Sequence, residues 1–265
     1  MNILKSLTLL LFSIFFISAN QLHAQDAKTA AGVYNDGLAL LKEKNYADGF
    51  AAMQEALTLA SADNDEKVID LAKKNGALAA YNLGNKKRKE NAMDDALSLY
   101  TQGIELNPAY SSNYIGKARA EAGKGMKEQA IASYMKAAEV AKAEGKDKKV
   151  TEANKRAKSL ITAAYNDKKD AEVVALGTAF LAGAQNSDVS YYVGKSLMNQ
   201  DKQSDAIVHF DKALQSSPEK KDRIIYAKAQ SLEKLGKNAE AVAVYKLITN
   251  EKYKANAAHK ISTLK

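Results

Sequence analysis

Two stretches of this chain share one pattern. Residues 81–108 read YNLGNKKRKENAMDDALSLYTQGIELNP, and residues 191–218 read YYVGKSLMNQDKQSDAIVHFDKALQSSP. In both, a glycine at the fourth position is followed twelve residues later by an alanine and four residues after that by an aromatic ring. The only two prolines of the chain close the two stretches. The shared spacing predicts an internal repeat.

Partial copies of the pattern follow each full copy. Ala96 is 34 residues from the alanine of the next copy, Ala130, and Ala206 is 35 residues from Ala241. A weaker copy precedes them, and a degenerate one lies between residues 150 and 183. The repeated positions hold small residues, aromatic rings and prolines: Gly84, Ala96, Tyr100, Pro108, Ala130, Tyr134, Gly194, Ala206, Phe210, Pro218, Ala241 and Tyr245.

These residues resemble the tetratricopeptide repeat, a unit of two antiparallel helices. The resemblance implies an all-α fold, a right-handed superhelical array of antiparallel helix pairs with about six units. One helix pair cannot bury its apolar faces alone, so neighbouring pairs must stack. Small residues let two helix axes approach closely, and the aromatic rings then fill the space to the next pair. The two prolines end the second helix of their units.

The N-terminal segment is predicted to be an export signal rather than part of the fold. Met1–Lys5 carries one positive charge, an apolar run of about 14 residues follows, and Ala24 supplies the small residue that signal peptidase requires. A membrane-spanning helix needs about 20 residues, so a cleaved signal peptide over residues 1–24 is favoured over a retained anchor. We expect tetratricopeptide-like units 1–3 over residues 26–145, and units 4–6 with a C-terminal capping helix over residues 146–265.

Export restricts where the protein acts and what it meets. A signal without a cysteine to be lipidated predicts a periplasmic protein of a Gram-negative bacterium, with a freely secreted form as the alternative. The dipeptide Ala24-Gln25 at the cleavage site resembles signals of Bacteroidota. Because little nucleic acid and no ATP are met outside the cytoplasm, we expect no nucleic-acid partner.

The composition argues against catalysis and against metal or cofactor binding. The 265-residue chain contains no cysteine and three histidines, of which His209 and His259 follow the signal peptide. They fall in different units and lack the spacing of the zinc-protease motif, and no glycine-rich phosphate loop is present. We therefore expect a non-enzymatic protein with no cofactor and no bound metal. Lys and Arg number 39 against 31 Asp and Glu, a net charge of +8 that favours anionic partners.

In tetratricopeptide arrays the first helix of each unit lines a concave groove, and the resemblance implies which residues face it here. Four of the five assignable units place a tyrosine at a central groove position, near cationic or amide side chains. The candidate partner-binding residues are Tyr34, Tyr81, Asn82, Asn85, Arg88, Arg119, Tyr191, Lys195, Asn199 and Tyr226. Tyrosine rings supply contact area at low entropic cost, and Asn, Lys and Arg pair with a peptide backbone or its carboxylates. The alternative is that the tyrosines pack against the adjoining helix.

These features lead to three functional hypotheses. The first is an exported scaffold that holds an extended or helical segment of another envelope protein in the concave groove, so that the partner is a protein or peptide. The second is a basic surface binder of anionic glycans or lipid headgroups, which would bring the chain to a membrane surface. The third is a structural adaptor that assembles an envelope complex through its convex face.

Overall fold

The computed structural model of the protein describes residues 28–216 and 221–264. These residues form thirteen α-helices, and no strand occurs among them. The predicted all-α helical repeat array is therefore confirmed. The predicted signal peptide, residues 1–24, and Pro218 lie outside the described residues.

The helices follow one another through short connections. In chain order they are α1 (Ala30–Lys42), α2 (Tyr46–Asp63), α3 (Glu66–Lys89), α4 (Met93–Leu106), α5 (Ser111–Gly123), α6 (Lys127–Ala143), α7 (Asp147–Asn166), α8 (Asp170–Leu181), α9 (Ser187–Asn199), α10 (Gln203–Ser216), α11 (Lys221–Lys234), α12 (Asn238–Tyr245) and α13 (Glu251–Thr263). We group them as six consecutive pairs, from α1 with α2 to α11 with α12, followed by the single helix α13. The odd-numbered member of each pair is its first helix.

Every pair is joined by a three-residue turn of the same backbone geometry. The middle residue of each turn is left-handed, with φ between 57° and 77°. These middle residues are Lys44, Asn91, Gly125, Lys168, Asp201 and Gly236. The residue after each donates its backbone N–H to the carbonyl five residues earlier, at 2.9–3.0 Å, which is the bonding of a Schellman C-cap. The degenerate copy, α7 with α8, has this same turn, and so does the connection from α6 to α7 around Gly145.

The described residues separate into two compact units, one ending at Ala79 and the other beginning at Ala80. The first unit has a buried core contributed by α1, α2 and the start of α3. The second has buried clusters contributed by α4 through α13. The division of the repeats into residues 26–145 and 146–265 stays a prediction. Among the described residues, no helix combines the length and apolar character that crossing a bilayer requires.

Within the second unit, glycines on first helices lie directly against aromatic rings of second helices. A Cβ atom built on Gly84 would come within 2.7 Å of the Tyr100 ring, and one on Gly194 within 2.6 Å of the Phe210 ring. The ring of Tyr100 also lies against Gly116 of the following first helix. The rings and alanines of the repeat pattern are buried, with at most 3% of each residue exposed, at Ala96, Tyr100, Ala130, Tyr134, Ala206, Phe210, Ala241 and Tyr245. Pro108 is exposed in the connection between α4 and α5.

The glycine-to-ring contact can be tested with Gly194→Ala. The added methyl group would overlap the buried Phe210 ring, so we expect the free energy of unfolding to fall by about 1–3 kcal/mol in urea titrations. Gly123→Ala is the matched control, because its Cβ would meet only the flexible end of Met93, at 3.2 Å. Equal stability of Gly194→Ala and the wild type would show that the close approach is not needed.

The left-handed turns predict changes in stability of opposite sign at two positions. A residue with a side chain pays about 1–2 kcal/mol in this backbone conformation, and glycine does not. Glycine also raises the conformational entropy of the unfolded chain, which offsets part of that gain. We therefore expect Lys168→Gly to raise the free energy of unfolding by up to about 1 kcal/mol. Gly236→Ala should destabilise it by about 1 kcal/mol, because no atom lies within 4 Å of the added Cβ and only the backbone is strained. Urea unfolding of both variants checks the pair, and shifts of the same sign would contradict it.

Candidate functional site

In the second unit, side chains of successive first helices contact one another across the surface. The carboxylate of Asp188 on α9 accepts hydrogen bonds from Lys158 of α7 and Arg223 of α11, both at 2.6 Å. Glu152 of α7 accepts from Arg119 of α5 and, at 2.9 Å, from Arg156 of its own helix. We call this surface, formed by residues 80–89 of α3 together with α5, α7, α9 and α11, the first-helix face.

A cavity of about 440 Å³ opens among the first helices at the start of this face. Three arginines from three successive first helices line it: Arg88 of α3, Arg119 of α5 and Arg156 of α7. Ala122 and the second-helix residue Tyr134 complete the lining. We call it the arginine cavity.

Glu152 only partly neutralises the arginine cavity. Burial raises the pKa of this carboxyl, but the hydrogen bond from Arg156 and the charge of Arg119 outweigh burial and hold the pKa below its usual range. The carboxylate therefore stays ionised between these two arginines. The Nε atoms of Arg88 and Arg119 are buried and have no hydrogen-bond partner among the described residues.

Beside the cavity, an aromatic pair carries a cationic neighbour. Tyr81 of α3 meets Tyr110, the residue before α5, edge to face with 6.0 Å between ring centroids. Lys149 of α7 holds its Nζ 5.2 Å from the Tyr110 centroid and donates to the Ser112 hydroxyl. Burial, and then the charge of Lys146, lower the pKa of Lys149.

A second aromatic cluster lies further along the face. The guanidinium carbon of Arg223 stands 4.3 Å from the centroid of the Tyr191 ring, a cation–π contact. Tyr165 and Tyr192 stack beside it with centroids 4.3 Å apart. Burial, followed by the neighbouring Tyr165, raises the pKa of Tyr191 to about 12, against the lowering effect of Arg223.

The C-terminal end of the face carries the last ring cluster. Tyr226 of α11 is half-buried, and its ring centroid is 5.4 Å from that of Tyr245 and 5.8 Å from that of Tyr253. Lys252 places its Nζ 5.8 Å from the Tyr253 centroid. Each of the three ring clusters thus has a cation over one of its rings, and in the last cluster that ring, Tyr253, belongs to α13 beside the first-helix face.

The structure gives the sequence-predicted groove residues different surroundings. Tyr34, in the first unit, is only 9% exposed, and its hydroxyl accepts a hydrogen bond from Asn75 at 3.0 Å. Asn85 is half-buried and accepts one from the Tyr100 hydroxyl at 2.9 Å. Their roles toward a partner stay predictions.

Other predicted residues remain closer to solvent. Tyr81, Asn82, Arg88, Arg119, Tyr191, Lys195 and Tyr226 are all partly exposed. Lys195 has its pKa lowered by burial, and Asn199 is exposed and donates to the Asp170 carboxylate at 3.1 Å. The structure brings Arg88 and Arg119 together in one cavity, whereas Tyr81, Tyr191 and Tyr226 belong to three separate ring clusters.

Several residues of the face were missed from the sequence. Arg156, Glu152 and Lys158 belong to α7, where the repeat pattern is too degenerate to assign groove positions. A compositional signal was available. Only four of the 39 Lys and Arg residues are arginines, and all four lie on first helices of this face, at Arg88, Arg119, Arg156 and Arg223.

The described residues hold no group of three or more His, Asp or Glu side chains placed to bind a metal ion. The chemistry that the first-helix face offers is recognition, through aromatic rings, guanidinium groups and ammonium groups.

The raised pKa of Tyr191 makes a prediction for alkaline solution. Above pH 10 the unfolded chain ionises this phenol while the folded chain keeps it protonated, so its contribution to stability is lost as the pH rises from 10 towards 12. Burial raises the pKa of other tyrosines too, Tyr245 among them, so the signal of Tyr191 is the difference in tyrosinate absorbance between wild type and Tyr191→Phe, which should show one tyrosine ionising near pH 12. A difference between the two titrations centred near pH 10 would contradict the burial of this hydroxyl.

Known proteins share the repeats and the helical array. The family model for the tetratricopeptide repeat matches residues 111–144 and 222–251. The photosystem I assembly protein Ycf3 of Rippkaea orientalis is 34% identical over 125 residues, which are 43% of this chain and 65% of that protein. This chain therefore spans just under two thirds of that relative's length.

Two solved structures are more distantly similar to this chain. The C-terminal part of a TPR repeat-containing protein from Cytophaga hutchinsonii is 14% identical, covering 80% of this chain and 76% of that one, with a TM-score of 0.36. The TPR2AB domain of yeast Sti1, solved as a pHSP90 complex, is 14% identical, covering 89% and 96%, with a TM-score of 0.36. On the family match, two segments of this chain, residues 111–144 and 222–251, are similar to the tetratricopeptide repeat.

Proposed function

We propose that this chain is an exported, non-enzymatic scaffold that binds a segment of another cell-envelope protein on its first-helix face. The segment is extended or helical and lies in a concave groove formed by the first helices. Export rests on the signal-like residues 1–24, and periplasmic placement on the absence of a cysteine to be lipidated.

The observation that supports this proposal is a series of three ring clusters, each of which includes a tyrosine of the first-helix face: Tyr81, Tyr191 or Tyr226. Tyr110, Tyr191 and Tyr253 each have a cationic group within 6 Å of the ring centroid. The rings are held by their neighbours before any partner arrives, so little side-chain entropy is lost on binding. Tyrosine also combines an apolar ring with a polar hydroxyl, so it can be hydrated in the free protein and pack against a peptide in the complex.

The charges indicate the kind of segment that fits. Arginines and lysines on this face can pair with carboxylates, and Arg offers two parallel donors to each carboxylate. A segment with acidic side chains between apolar ones would therefore match both features of the face. In this proposal Asn82 and Asn199 add amide contacts to its backbone, with the side-chain oxygen of Asn199 as acceptor because its amide group already donates to Asp170.

The name of the relative from Rippkaea orientalis supports a scaffold role. That protein is named for the assembly of photosystem I, and bringing other proteins together is the same kind of task. The match includes 65% of its length, so its partner is not transferred to this chain.

A second candidate function uses the opposite side of the helix pairs. Val208 on the second helix α10 is 52% exposed, so its side chain is accessible to a partner on that side. An adaptor that assembles an envelope complex would use second-helix surfaces of this kind. Binding of anionic glycans or lipid headgroups, the third candidate, would depend mainly on net charge and would weaken steeply with added salt.

Photocrosslinking from within the envelope separates these candidates. A photoreactive phenylalanine analogue replaces Tyr81 or Tyr226 on the first-helix face, or Val208 on the second-helix side, in the full chain expressed in its native cells. We expect the first two positions to crosslink to one protein in common. Alanine at Tyr191 should reduce that product several-fold, and Val208→Ala should leave it unchanged.

Two results would overturn the proposal. Crosslinks from position 208 alone would assign binding to the second-helix side and make the chain an adaptor. Loss of all protein crosslinks, with salt-sensitive binding to anionic vesicles or glycans, would assign it to the charged-surface candidate.

A further inference from the structure

We propose that the arginine cavity is a binding site for a dianionic phosphoryl group. This inference goes beyond the scaffold function and does not depend on it, because a phosphoryl group would bind here whether or not a protein segment lies on the rest of the face.

The distribution of arginine points to this cavity. Nearly all basic residues of the chain are lysines. Three of its only four arginines line this cavity, one each from α3, α5 and α7. A guanidinium is a rigid planar fork of donors that matches phosphate geometry, whereas an ammonium is a strongly hydrated point charge. The fourth arginine, Arg223, is paired with Asp188 and lies against Tyr191. In the cavity, by contrast, two of the three arginines share the single carboxylate of Glu152.

The charge of the cavity matches a dianion. Three guanidinium groups line the cavity, and the carboxylate of Glu152 accepts hydrogen bonds from two of them, Arg119 and Arg156. Glu152 offsets one of the three positive charges, so two remain. A phosphate monoester carries about −1.5 to −2 at pH 7 and neutralises both, whereas one carboxylate leaves a positive charge behind.

The unsatisfied donors match an acceptor-rich ligand. The Nε–H groups of Arg88 and Arg119 are buried without an acceptor among the described residues. Buried donors of this kind are normally satisfied by protein, water or ligand. A phosphoryl group brings three acceptor oxygens, so it can bond to more than one arginine at once.

The size of the cavity bears on what the phosphoryl group is attached to. Its volume of about 440 Å³ falls within the range of small-molecule sites and exceeds what a free phosphate ion would fill. A phosphate monoester, with part of its organic group inside the cavity, fits this volume. Free phosphate shares the recognised chemistry, and the experiment distinguishes the two sources.

The test is calorimetric titration of protein purified from cells that express the full chain. The probes are inorganic phosphate, the blocked peptide Ala-phosphoserine-Ala and its counterpart Ala-Glu-Ala. We expect the phosphopeptide to bind about tenfold or more tightly than the glutamate peptide, because it satisfies more charged donors. Its affinity should fall as the pH drops below about 6, where the phosphate loses its second charge.

Variants of the cavity connect any binding to these arginines. Arg88→Gln and Arg156→Gln should each weaken phosphopeptide binding about tenfold or more. Lys86→Gln and Lys155→Gln remove the same charge from exposed positions on the same two helices and should change it less than about twofold. Arg156→Lys keeps the charge without the fork, and should weaken binding as well. Circular dichroism melting of each variant establishes that it is folded.

Each binding result either supports or overturns the proposed phosphoryl site. Phosphopeptide binding tighter than that of inorganic phosphate supports the site and a monoester ligand, and equal binding supports the site with the free ion as its source. Failure of both phosphate probes to bind the folded wild type would overturn the proposal. Equal losses in the arginine and lysine variants would overturn it too, since binding would then follow net charge alone. None of these results bears on the crosslinks from Tyr81 and Tyr226.

Discussion

The array depends on the contact between an aromatic ring on a second helix and a glycine on a first helix. The ring of Tyr100 lies between Gly84 of its own pair and Gly116 of the next first helix, so one side chain sets the spacing of three helices. Phe210 makes the equivalent contact with Gly194 three pairs later. Because a helix pair cannot bury its apolar face alone, this contact lets separate pairs share a core.

That spacing also creates the first-helix face. First helices of adjacent pairs come close enough for Asp188 to bridge α7 and α11, and for Glu152 to link α5 to α7. Carboxylates at these places hold cations in position over tyrosine rings and beside one another. In the arginine cavity three guanidinium groups face one carboxylate, and the buried Nε–H groups of Arg88 and Arg119 have no acceptor among the described residues.

The repeat pattern was sufficient to predict the helix pairs, because small residues and rings recur at helical spacing in units of 34 or 35 residues. It was weaker for α7 and α8, where the small and aromatic positions are replaced. That pair still forms the same turn, with Lys168 at the left-handed position that glycine takes at Gly125 and Gly236. A lysine there carries no sequence signal for the turn, and packing by the neighbouring pairs overrides its backbone preference.

The sequence by itself determined that the described residues form repeated helices. The spacing of hydrophobic residues and the positions of small residues favour helix formation within each short segment, and both recur along the chain. It also placed Arg88 and Arg119 among the groove candidates. Only the tertiary structure decided that Arg156 joins them, that Glu152 bridges two of the three, and that Tyr34 lies mostly buried beside Asn75. These relations join residues about 30 to 70 positions apart, and their geometry follows from how the helix pairs stack, which no single repeat contains.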